Sequence, residues 1–98
     1  MDVLDRLQKW YFSECNDDWE HSFGVSIDTL DNPGWILKVD LAETKWETLA
    51  IERVIDRRSD TDWVQYETEG MKFIACGGPF NLKEMIERFF SLIGVSDS

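Results

Sequence analysis

Apolar residues recur at three- and four-residue steps near the start of the chain. Over residues 2–14, Val3, Leu4, Leu7, Trp10 and Tyr11 keep this spacing, which winds them onto one stripe of an α-helix. Asp2 stands where a capping carboxylate belongs. The run "ECNDD" ends the helix, because Asn and Asp side chains compete for backbone hydrogen bonds. The period then changes to two. Over residues 23–30, Phe23, Val25 and Ile27 alternate with Gly24, Ser26 and Asp28; over 35–41, Trp35, Leu37, Val39 and Leu41 alternate with Ile36, Lys38 and Asp40. Alternation of this kind predicts two strands with one buried face each. Between them, "DNPGW" places Pro33 before Gly34. That pair suits a type II turn with Gly34 at positive φ, in a connection longer than the turn itself.

The segment 48–56, "TLAIERVID", alternates only in part. Leu49, Glu52 and Arg53 tolerate a helix, whereas the β-branched Ile51, Val54 and Ile55 favour a strand, central or edge, and a strand is expected. "RRSDTD" is a polar loop. Residues 63–68 and 71–76 read as a hairpin around Glu69-Gly70, and "GGP" turns the chain again. The helical period returns over 81–93. Leu82, Met85, Ile86, Phe89, Phe90 and Ile93 form its buried face; Lys83, Glu84, Glu87, Arg88 and Ser91 form its wet face. Asn81 and Glu84 have capping-box-like spacing, and Gly94 is a natural stop. This order predicts an α+β fold of two layers. Its antiparallel sheet has four to five strands, arranged as a meander, flanked on one face by an N-terminal and a C-terminal helix.

A chain of 98 residues fits a single domain, 1–98. With 43% hydrophobic residues it can build a core without disulfide or metal staples. Charge changes the picture more. Twenty acidic residues against ten basic leave a formal net charge of -10. Such a chain cannot neutralise phosphates, which argues against nucleic acid and anionic membranes as partners and for basic proteins. Cys15 and Cys76 form no CxxC pair. No signal-peptide pattern and no membrane-length apolar run stands in the sequence, so a cytoplasmic protein with reduced thiols is expected.

His21, the single histidine, follows Asp17, Asp18, Trp19 and Glu20, a cluster that invites an acid/base or metal reading. On an extended backbone Glu20 and His21 point apart. Cys76 with His21 is the least implausible catalytic pair, but a small thiol ending a strand is ordinary core material. No zinc or calcium spacing is present, and "CGGP" lacks the lysine of a phosphate loop. The residues thus favour a protein without catalysis, metal or cofactor. Trp10, Trp35 and Trp63 lie on or beside apolar faces and are expected in the core. Trp19 has two readings: a pin whose indole N–H is bonded inside the fold, or an exposed anchor for a partner.

The run "WYFSECNDDWEHSFGVSIDTLDNPGW" resembles the bacterial immunity protein 53 family. The resemblance rests on Trp10-Tyr11, on "DWEH" at 18–21 and on "GVSIDTLDNPGW" at 24–35, with Asp62-Trp63 and Asn81-Leu82 further on. It spans roughly residues 7–93. It implies a small α+β protein encoded beside a secreted polymorphic toxin; a monomer or weak homodimer is expected. Such a protein binds its cognate toxin and blocks it without catalysis. The charge of -10 would serve best against a basic, nuclease-type toxin. The expected toxin-facing residues are Asp17, Asp18, Trp19 and Glu20 in the corner, Asp28 on the wet face of the first strand and Asp31 at the turn. A generic acidic interaction or regulatory module is the alternative.

Overall fold

The structure, a computed structural model, describes residues 2–94. Helix α1 spans Val3–Glu14 and opens on Asp2, whose carboxylate accepts the Asp5 N–H at 2.8 Å. A one-turn helix, α2 (Trp19–Ser22), follows. The strands are β1 (Val25–Leu30), β2 (Gly34–Asp40), β3 (Val54–Arg57), β4 (Trp63–Glu69) and β5 (Lys72–Gly77), and α3 (Leu82–Ile93) comes last. Gly94 ends α3 in the left-handed conformation, φ 72°, its N–H bonded to Phe90 O.

All five strands pair antiparallel, in the order β1-β2-β5-β4-β3. This corrects the expected meander. The chain leaves β2, crosses to the far edge through residues 41–53, and returns through β4 so that β5 inserts beside β2. Burial explains the order. Leu37 and Val39 on β2 and Phe73 and Ala75 on β5 are at most 1% exposed, so these two strands belong at the centre beneath the helices. The crossover contributes Leu41, Trp46, Leu49 and Ile51 to the core from irregular backbone. The expected strand over 48–56 shrinks to β3 for that reason. Thr68 Oγ1 accepts the Ile51 N–H at 2.8 Å, and Ile51 O accepts the Thr68 N–H at 3.1 Å, so a side chain replaces the ladder there.

The core lies on one side of the sheet. Leu37, Val39, Val64, Tyr66, Phe73 and Ala75 meet Met85, Ile86, Phe89, Phe90 and Ile93 of α3, with Leu7 and Trp10 of α1 beside them. Trp10 stands edge-on to Phe89 with ring centroids 5.2 Å apart. Burying one such large side chain contributes about 1.5–3 kcal/mol. Trp35 packs against this core and donates to Pro79 O at 3.1 Å. Trp63 does not belong to it: it alternates with the buried Val64, which puts it half-buried on the opposite face of β4.

Two turns depart from the sequence reading. Gly34 is not a positive-φ residue; it pairs with Leu30 inside the ladder, and the loop is 31–33. Glycine is required there because a Cβ would collide with Gly77 O. The second hairpin turns at Gly70-Met71, with φ 59° and 61° between the paired Glu69 and Lys72, as a type I′ loop requires. Asn81 also forms no capping box, since its side chain makes no cap hydrogen bond. Its amide donates to Asp62 at 2.9 Å and to Glu84 at 3.1 Å. Those carboxylates meet Arg58 at 2.8 and 2.6 Å, which ties the 58–62 loop to α3.

Candidate functional site

The corner between α1 and β1 is closed by reciprocal side-chain bonds. Asn16 Oδ1 accepts the N–H groups of Asp18 and Trp19 at 3.0 and 2.9 Å. The Glu20 carboxylate reaches back to the N–H groups of Asn16 and Asp17 at 2.9 and 3.0 Å. Each satisfies donors that a helix start would otherwise leave free. Hydrogen bonds hold the Glu20 carboxyl below its usual range, chiefly from its own backbone N–H and then from Asn16. Asp17 adopts φ 75° within this closure. "DWEH" is therefore a helical corner rather than extended chain.

Trp19 lies beneath it, 2% exposed. Its ring is edge-on to Trp10 at 6.1 Å and flanked by Tyr11 at 6.0 Å and Phe23 at 6.4 Å. Nε1 donates to Ala42 O at 2.9 Å, joining the corner to the start of the crossover. This is the geometry of the pin. The indole does not stand at the surface, so it reaches a partner only through the loop that it holds.

Asp17 and Asp18 are exposed at the corner, and Asp28 and Asp31 are exposed on β1 and in the turn beyond it. Strand rise puts Asp31 about 20 Å from the start of β1. The expected residues thus form a strip along one edge of the sheet rather than one cluster. Basic side chains are engaged elsewhere: Arg53 with Glu67, Arg57 with Asp60, Arg58 and Arg88 with Asp56 and Glu84, Lys72 with Asp40. Among the described residues no ion pair reaches Asp17, Asp18, Asp28 or Asp31.

Cys76 and His21 are not brought into one site. Cys76 sits between Ile36 and Gln65 in the sheet, and burial raises its thiol pKa, away from the thiolate that a nucleophile needs. His21 is exposed in α2. Among the described residues, no group of three or more His, Cys, Asp or Glu is placed to hold a metal, and no helix is long and apolar enough to cross a membrane.

Sequence reasoning passed over one feature. Leu4 and Tyr11 of the α1 stripe, and Ile27 of the β1 alternation, are 56%, 39% and 39% exposed. The signal was present, since all three stand in apolar register. Their exposure depends on how far the helices reach across the sheet.

The fold is a two-layer α+β module whose exposed Asp17, Asp18, Asp28 and Asp31 are reached by no ion pair among the described residues. The model of the family Immunity protein 53 matches residues 4–94, and the chain belongs to that family. Membership brings a toxin-neutralising role, the binding of a cognate toxin. No curated protein matches the chain, and no solved structure does.

Proposed function

We propose that this protein neutralises a basic toxin domain, of the kind that acts on nucleic acid, by covering its active surface in the cell that makes it. The observation carrying this reading is the acidic strip of Asp17, Asp18, Asp28 and Asp31, which is exposed and which no ion pair reaches among the described residues. Glu20 and Trp19 support it from within, one closing the corner and the other pinning it. Carboxylates at the rim of an interface mainly steer encounter. Each Asp→Asn change should therefore slow association modestly and flatten its dependence on ionic strength. The direct experiment is co-expression with the toxin domain encoded beside this gene. Wild-type protein should restore growth, and the purified pair should associate more slowly as salt rises. A salt-independent association rate, unchanged by neutralising all four aspartates, would refute the electrostatic reading.

A further inference from the structure

We infer that the toxin engages the outer edge of β1 by adding an extended strand to the sheet; this rests on the neutralising role just proposed. β1 is a sheet edge, and no residue of it is fully buried. Alternate residues of an antiparallel edge strand turn their backbone groups outward. The Asp40 N–H to Gly24 O bond at 3.0 Å sets the phase. Gly24, Ser26, Asp28 and Leu30 face β2, while Val25, Ile27 and Thr29 face away. Asp28 Oδ1 already accepts the Thr29 N–H at 2.8 Å. Val25 and Ile27 are left to offer amides, with carbonyls from all three.

The side chains beside this edge say what the added strand carries. Residues opposite Val25 and Ile27 would fall on the helix side of the sheet. There, an apolar groove of about 240 Å³ is lined by Leu7, Gln8, Tyr11 and Val25, next to the exposed Ile27 and on the helix that also exposes Leu4. Residues between them would fall beside Asp28, with Asp31 at one end of the strand and the Asp17-Asp18 corner before the other. The fitting segment alternates apolar and basic residues. The opposite edge, β3, is only four residues long and offers a shorter ladder to an added strand. A second copy of this chain is disfavoured as well, because it would bring -10 against -10.

The test uses the whole protein and the purified toxin domain encoded next to its gene. Amide exchange at Val25 and Ile27 should slow at least about tenfold in the complex, with the β3 amides unchanged. Ile27→Pro removes an outward donor and no bond of the native ladder, so the fold should survive and toxin affinity should fall at least about tenfold. Should that variant not fold, the exchange pattern of the wild-type complex decides alone. A wild-type complex without protection at Val25 and Ile27, or with protection at β3 instead, overturns the edge proposal and leaves neutralisation standing. Protection of the same amides in the free protein, with dimeric sedimentation, assigns the edge to a second copy and overturns it too. Failure of the wild-type pair to associate overturns both readings.

Discussion

Replacing Trp19 separates a pin from a surface anchor. The side chain is 2% exposed, contacts Trp10, Tyr11 and Phe23, and donates to Ala42 O at 2.9 Å. Trp19→Ala removes all of this at once. Large-to-small changes at buried tryptophan cost about 3–5 kcal/mol, and the orphaned carbonyl adds about 1 kcal/mol if water does not reach it. A domain of this size has about 5–15 kcal/mol in total. The loss is therefore a large share of stability, and Tm should fall by on the order of 20 °C. Trp19→Phe keeps much of the ring contact but loses the N–H, and should cost about 1–2 kcal/mol. Urea denaturation followed by circular dichroism measures both. Toxin dissociation, measured well below each Tm, should change little for Trp19→Phe. Unchanged denaturation midpoints together with fast dissociation would refute the reasoning and restore the anchor.

Other expectations follow from the same structure. Gly34→Ala forces a Cβ against Gly77 O and should destabilise by about 1–3 kcal/mol, read as a lower denaturation midpoint; a neutral result would mean that β2 and β5 can separate at no cost. Met71→Asn places a residue that tolerates the left-handed region at φ 61° and should stabilise by about 0.5 kcal/mol in the same assay. The Asp62 and Glu84 carboxyls are held below their usual range, Arg58 being the largest cause for both. A depressed carboxyl adds stability above its unfolded pKa and loses it as pH falls through the folded value, so unfolding should become easier below about pH 5. Arg58→Gln should flatten that acid limb between pH 3 and 6, and identical profiles would refute the role given to the network.

Local pattern alone determined much of this protein. The helical period over Val3–Glu14 and Leu82–Ile93, the Asp2 cap and the Gly94 stop follow from short-range backbone and capping chemistry. The alternation of β1, β2, β4 and β5 was legible for the same reason. The run from Trp10 to Trp35 was specific enough to resemble the family to which the chain belongs. Strand order was not legible, because pairing depends on which faces find cover: β5 lies beside β2 because both bury a full face, and 48–53 stays irregular because Thr68 takes its backbone bonds. Gly34 carried a turn signature, yet its role came from Gly77, a residue 43 positions later. Trp19 had two readings in sequence, and the distant Ala42 carbonyl marks it as a pin. The expected acidic residues were all found at the surface except Glu20, which the corner half-buries and engages in its own closure. What the sequence could not contain was the limit of the helical layer. Ile27 and Tyr11 stand in perfect apolar register, and only the packed helices determine that their faces extend past the edge of the core.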